Sequence, residues 1–276
     1  MIAILGVALC CQSHIPSRLL YANQLAQQLQ LPLLQQSSTS LLPSGEGTRK
    51  ADEGVDEGAI FPYWLVVTDH RLELHQSGTP EKPVYVDFLG ADAQYRCLKS
   101  NRKNELIAKA VGLKNNSTLS IIDATAGLGR DGFILSTLGC IVRCLERSPI
   151  IAALLQDGID RLQNTSAPNV SLSLTATDAL TYLEQLDYAE FPDVIYLDPM
   201  FPTRQKSALV KKEMRMLRDL VGDDLDTAAL LDLALRRAKK RVVVKQPRLA
   251  PQHIGKTPSI VFSGQSCRFD VYLTKK

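Results

Sequence analysis

From about residue 100 onward the chain alternates between two patterns of apolar and polar positions. Short runs of β-branched and apolar residues ("LSIIDAT", "IVRCLER", "VSLSLTAT", "DVIYLD", "RVVVKQ") read as strands of a covered sheet. Between them, apolar residues recur every three to four positions in "RKNELIAKAVG", "RDGFILSTL", "IIAALLQDGIDRL", "KSALVKKEMRMLRDLV" and "TAALLDLALRRAKK", which read as helices. The punctuation agrees with this division. Gly112 and Gly139 fall just past helix ends, Ser148 and Pro149 form an N-cap and first-turn pair, and Asp226 is the expected cap of the last helix. Strand alternating with helix predicts an α/β fold with a parallel sheet covered on both faces. The ending "PSIVFSGQSCRFDVYLT" breaks the alternation. It joins two β runs through a short Ser-Gly-Gln-Ser turn and predicts a terminal antiparallel hairpin.

The preceding segment has another texture. "IAILGVAL", "YWLVVTD", "RLELHQ" and "VYVDF" read as strands, so residues 1–95 are expected to form a small β-rich lobe and residues 96–276 a larger α/β domain. Within the lobe, about residues 35–59 are rich in Ser, Gly, Thr and charge; this segment lacks the apolar content to order itself and reads as a mobile insertion.

At 276 residues and 45% hydrophobic, the chain has enough apolar surface for one large core with a smaller lobe attached. The apolar opening "MIAILGVALCC" has no basic residue before Arg18 and is too short to span a bilayer, so it reads as a buried strand of a cytoplasmic protein with no membrane partner. Six scattered cysteines without a C-x-x-C pair, and four dispersed histidines, give no disulfide framework and no metal site. A net charge of +3 requires any nucleic-acid surface to be a local patch.

The chemistry concentrates after two strands. "DATAGLGRDGF" holds Gly127, Gly129 and Gly132 in a strand-to-helix turn, a spacing used by dinucleotides and by other cofactors that need close backbone approach. Glu146, 19 residues after Gly127 and at the end of the next strand, is placed to grip a ribose diol in either case. Asp123 favours a cofactor without phosphates, since an acid beside a pyrophosphate is unfavourable, whereas the ammonium and sulfonium of S-adenosylmethionine attract carboxylates. Asp131 adds a second acid; Arg130 is its counter-charge or meets a carboxylate of the ligand, and capping of the following helix is the other reading of the pair. Thr177 and Asp178 follow the third strand, either at the adenine end or as a helix cap. In "DVIYLDPMFP", a buried strand runs into Asp198, stiffened by Pro199 and Pro202, with Phe201 as a flat face. An acidic acceptor beside a stacking aromatic suits methylation of an exocyclic amine on a planar base, with Asp198, Pro199 and Phe201 as the catalytic candidates. A nicotinamide-dependent oxidoreductase is the alternative that the glycines and Glu146 leave open.

The first glycine motif, "LER", "YLDPMFP", "KSALVKKEMR", "LVG", "KRVVVK" and "RFD" together resemble the RsmJ family of guanine-N2 methyltransferases of small-subunit ribosomal RNA, over about residues 84–275. The resemblance implies a Rossmann-like, seven-stranded methyltransferase sheet and S-adenosylmethionine as cofactor. It implies cofactor contacts at Arg130, Asp131, Glu146, Arg147, Thr177, Asp178 and Asp198, beside the candidates Asp123, Gly127 and Gly129 read from the turn. The implied target is one guanosine near the 3′ end of 16S rRNA, free or in the 30S subunit. The chain departs from the family pattern before residue 84 and at "YRCLKSNRKNE". Between Thr203 and Arg218, six basic residues (Arg204, Lys206, Lys211, Lys212, Arg215, Arg218) stand against one acid and begin just after the Asp198 turn, a candidate surface for RNA phosphates.

Overall fold

The computed structural model describes residues 7–35, 61–79, 82–99, 102, 105–115, 117–165, 170–199, 212–221, 226–250 and 256–274. The insertion beyond Gln35, Phe201, Arg204, Lys206 and Lys211 lie outside the described residues. The chain divides into two compact units, Met1–Val86 and Asp87–Lys276.

The first unit contains β1 (Val7–Cys11), α1 (Pro16–Leu29), β2 (Leu33–Gln35), β3 (Tyr63–Val67) and β4 (Leu72–Gln76), with a sheet in the order β2-β1-β3-β4. Every residue of β1 is buried, as its apolar run requires. β1 runs parallel to β2 and β3, and β4 returns antiparallel to β3. α1 is an element that the sequence reading of this β-rich lobe did not name. Its buried residues Ala22, Leu25, Ala26 and Leu29 form a helical stripe on a Gln-rich background, Pro16 occupies the first turn, and Gln30 ends it in the left-handed conformation. "VYVDF" is not a strand either. Only Val84 bridges to Leu74, through two backbone hydrogen bonds of 2.8 and 2.9 Å, before the Asp87 carboxylate accepts the Leu89 N–H and turns the chain.

The second unit begins with α2 (Ala91–Lys99) and α3 (Leu106–Val111), which Gly112 ends at φ 76°. Then come β5 (Ser120–Asp123), α4 (Arg130–Thr137), β6 (Ile141–Glu146), α5 (Pro149–Gln163), β7 (Ser171–Ala176), α6 (Ala179–Gln185), a 3-10 turn at Tyr188–Glu190 and β8 (Val194–Leu197). α7 (Lys212–Val221), α8 (Thr227–Arg237), β9 (Arg241–Pro247), β10 (Ile260–Ser263) and β11 (Cys267–Leu273) complete it. The seven strands lie in the order β10-β11-β9-β8-β5-β6-β7. β5 to β9 pair in parallel, and β11 is antiparallel to both neighbours, inserted between β9 and β10. The predicted terminal hairpin is therefore present, with its second strand inside the sheet. One face of the sheet packs Ile122, Leu145, Ile195, Leu197, Val242 and Val244 against Leu183 of α6 and Leu230, Leu231 and Ala234 of α8. Burial on both faces explains why these strands read as continuous apolar runs.

Two expected caps are absent. Ser148 and Asp226 occupy N-cap positions of α5 and α8, but neither side chain makes a capping hydrogen bond. Asp226 instead pairs with Arg147 at the cleft described next, and the Ser148 N–H donates to Glu146.

Candidate active site

The sheet order reverses between β5 and β8. Chains leaving these neighbours go to opposite sides, which opens a crevice at the carboxyl ends of the strands. A cavity of about 1080 Å³ lies there, lined by the turns after β5, β6, β7, β8 and β9. That is room for a nucleoside-sized ligand.

The glycines of the first turn have separate tasks. Gly127 and Gly129 adopt φ of 53° and 71°, the left-handed region. A Cβ at Gly129 would stand 2.5 Å from Leu155 Cδ1, so this glycine is needed for packing. A Cβ at Gly127 would meet nothing within 4 Å, and Gly127 lines the cavity, so here the missing side chain leaves space for a ligand. Across the turn stands Glu146, 7% exposed and so not a solvated strand-end acid. Its Oε2 accepts the Gly127 N–H at 2.9 Å and its Oε1 the Ser148 N–H at 2.7 Å. Arg147 pairs with Asp226 at 3.7 Å, and both line the cavity. Thr177 and Asp178 line it too, and Asp178 Oδ1 accepts the Thr181 N–H at 3.0 Å, the helix-capping role that the sequence left open.

The acids at the ends of β5 and β8 belong to one ionic cluster. Asp123 is 2% exposed; burial, then repulsion from Asp131, pushes its carboxyl up to about 8. It is therefore largely protonated at neutral pH, and the charge argument against a pyrophosphate has to rest on Asp131 and Asp198 instead. Burial also opposes ionisation of Asp131, but the charge and hydrogen bond of Lys245 and the Tyr196 hydroxyl outweigh it and hold that carboxyl below the usual range. Tyr196 Oη donates to Asp131 Oδ2 at 2.7 Å, and Arg96 lies 3.4 Å from Oδ1. Lys245 and Arg96 supply counter-charge to Asp131, which is not the side-chain cap of α4, whose N-cap is Gly129 without a side-chain bond. Lys245 Nζ also lies 2.7 Å from Asp198 Oδ2, and the Asp198 N–H donates to Thr125 Oγ1 at 2.6 Å.

Arg130 and Pro199 line the cavity as well. Of the basic run, Lys212 and Arg215 lie on α7, and Arg218 reaches the cavity wall. Lys245, Tyr196 and Thr125 are the residues that the sequence reading did not single out. The signal available for Lys245 was a lone charge ending the β-branched run "RVVVK".

A parallel sheet with one antiparallel strand inserted next to its last member, and a glycine turn facing an acid across the switch point, defines the S-adenosylmethionine-dependent methyltransferase class. Dehydrogenases of the nicotinamide type continue with parallel strands, so β11 removes that alternative. Known proteins agree. A family model described as "Putative SAM-dependent methyltransferase" matches residues 54–274. Ribosomal RNA small subunit methyltransferase J of Coxiella burnetii (strain RSA 331 / Henzerling II) is 46% identical over 262 residues, covering 94% of each chain. The protein of the same name from Thioalkalivibrio sulfidiphilus is 47% identical over 222 residues, 79% of this chain and 87% of its own. The crystal structure of a SAM-dependent methyltransferase from Neisseria gonorrhoeae superposes with a TM-score of 0.67 at 33% identity, over 97% of this chain and 96% of that one. The chain belongs to the family of ribosomal RNA small subunit methyltransferase J, and its cofactor is S-adenosylmethionine. Among the described residues no helix is long and apolar enough to cross a membrane.

Proposed function

We propose that this protein methylates the exocyclic N2 of one guanosine near the 3′ end of small-subunit ribosomal RNA, in the cytoplasm, on free rRNA or the 30S subunit. The observation that carries the reading is the placement of Asp198: a carboxylate at the end of β8, beside the glycine turn and in the same cavity. The printed name of the relatives supports the substrate class.

The residues fit the cofactor. Glu146 offers acceptors for a ribose diol, Gly127 the open backbone beside it, and Asp131, with Arg130 nearby, the groups for the zwitterionic end. Asp123 and Gly129 shape the same turn, and Arg147, Thr177 and Asp178 border the adenine end. When bound, S-adenosylmethionine supplies an electrophilic methyl group on a sulfonium. Asp198 accepts a hydrogen bond from the N2 amine and so orients its nitrogen, Pro199 stiffens the turn that carries it, and Phe201, two residues beyond Pro199, stacks on the base. No strong base is needed, because the amine proton becomes acidic only once nitrogen gains its new bond. A guanine must leave its stack to enter such a pocket, so the target is unpaired or flipped. Lys212 and Arg215 of α7, with Arg204, Lys206 and Lys211 before them, hold the RNA phosphates.

The test is transfer of labelled methyl to small ribosomal subunits and naked rRNA from cells lacking the gene, with the product nucleotide identified by nuclease mapping and mass spectrometry. N2-methylguanosine at a single site near the 3′ end is expected. No incorporation, with cofactor binding intact, contradicts the substrate.

A further inference from the structure

β9 is wholly buried through Val242, Val243 and Val244, each 0% exposed, and then presents Lys245 at its cleft end. Placing a lysine here has a cost in desolvation and in the freedom of a long side chain, and close opposite charges must offset it. They come from two segments with different tasks. Nζ lies 2.7 Å from Asp131 Oδ2, in the first turn of the helix that follows the glycine turn, and 2.7 Å from Asp198 Oδ2, at the end of β8. Burial works to neutralise the lysine, but Asp198 and Asp131 outweigh it and push its titration above the ordinary range, so it is an ammonium at every working pH. A second tie runs beside the first: Thr125 Oγ1, inside the glycine turn, accepts the Asp198 N–H at 2.6 Å. The backbone of Asp198 is thus held by the cofactor turn directly, and its side chain by way of Lys245.

We propose that Lys245 is a positioning residue for Asp198: it fixes the carboxylate's orientation and charge against the cofactor turn, so that the acceptor for the target amine is aligned before RNA arrives. This rests on the role given to Asp198 above. An ionised carboxylate has about four lone-pair sites, so contact with one ammonium is compatible with a second donor. An ammonium at this distance favours negative charge on the oxygen it touches, and a pre-aligned charged acceptor costs no reorganisation when the amine docks. Titratable or charged groups near Asp198 include Asp131 on α4, Asp123 on β5 and Tyr196 on β8, with Arg96 on α2 behind Asp131, and Arg130 and Arg218 line the same cavity. Lys245 is the cation in that set that touches both functional carboxylates.

Lys245→Met keeps the unbranched stem but removes the ammonium shared by Asp131 and Asp198, a change that should itself destabilise the fold, so the positioning role is taken from pH dependence as well as rate. In Lys245→Met, kcat is expected to fall roughly 10- to 100-fold while the KM for S-adenosylmethionine changes less than about threefold. The acid limb of the kcat pH profile is expected to move to higher pH than in wild type, and the double variant Lys245→Met/Asp198→Asn loses the Asp198 contribution because an amide does not titrate. Carboxyl NMR of the cofactor-bound protein should show the Asp198 signal titrating at higher pH in Lys245→Met than in wild type. Lys245→Arg, which keeps the charge, should restore the wild-type profile, and it serves as the comparison if the Met variant unfolds. A Lys245→Met enzyme with wild-type kcat and pH profile, or an Asp198 signal that does not move, overturns the proposal. The NMR reading needs no RNA, so a wild type inactive on ribosomal subunits would count against the substrate alone.

Discussion

Asp123 shows how a single residue ties the cleft to the stability of the fold. Its folded carboxyl titrates near 8 against 3.8 for the free group, so between those values the native state holds a proton that the unfolded chain releases. Stability conferred at acid pH is therefore withdrawn as pH rises from about 4 to about 8, and nothing further is lost above that. Asp123→Asn is expected to flatten this decline in chemical denaturation of the cofactor-free protein; an unchanged pH slope would contradict the burial of a protonated acid. The neighbouring glycines predict a division of effects. Gly129→Ala adds a methyl in the left-handed conformation and against Leu155, and should cost about 2–5 kcal/mol of folding stability. Gly127→Ala carries only the conformational cost of about 1–2 kcal/mol, yet its methyl projects into open cavity, so its main loss should be cofactor affinity by calorimetry.

At the scale of elements, the strands of the second unit were legible and the caps were less so. "RVVVK" and "DVIYL" are read correctly because a strand covered on both faces has no polar side to confuse the pattern. Ser148, Asp178 and Asp226 look alike in sequence as residues preceding helices, but only Asp178 caps. Arg147 meets Asp226 across the cleft, and the Ser148 N–H turns back to Glu146, contacts between segments that local sequence does not encode. α1 is the reverse case. Ala22, Leu25, Ala26 and Leu29 carry a plain helical period, but alanine and glutamine dilute it between strongly apolar strands. The end of the sheet rests on another buried group: Arg268 bonds Asp270 at 2.9 Å and Gln246 at 3.0 Å on β9, and its other amine donates to the Ala250 carbonyl at 2.8 Å. Asp270→Ala leaves that guanidinium without its carboxylate, 7% exposed, and should cost about 3–5 kcal/mol in denaturant unfolding. A loss under about 1 kcal/mol would mean that solvent reaches the site.

At the scale of the molecule, one topological fact separates two enzymes that share a glycine turn and a ribose acid. The antiparallel β11, inserted between β9 and β10, sets the sheet order, and the "SGQS" turn announced it. Asp123, Glu146 and Asp198 were legible because each ends an apolar strand, and parallel strands deliver their carboxyl ends to one edge. Lys245 was not, because it lies 114 positions from Asp131 and 47 from Asp198, and only the folded sheet shows which strand-end charges converge. We propose opposite tasks for two carboxylates that line one cavity, with Glu146 holding the cofactor and Asp198 serving the transfer. S-adenosylmethionine affinity and single-turnover methyl transfer, measured side by side on Glu146→Ala and Asp198→Ala, test that division most directly. Glu146→Ala should weaken cofactor binding roughly 10- to 100-fold, with turnover largely recovered at saturating cofactor. Asp198→Ala should keep most of its affinity and lose roughly 100- to 1000-fold in transfer. Wild-type transfer by Asp198→Ala, or unchanged cofactor affinity in Glu146→Ala, would contradict the account.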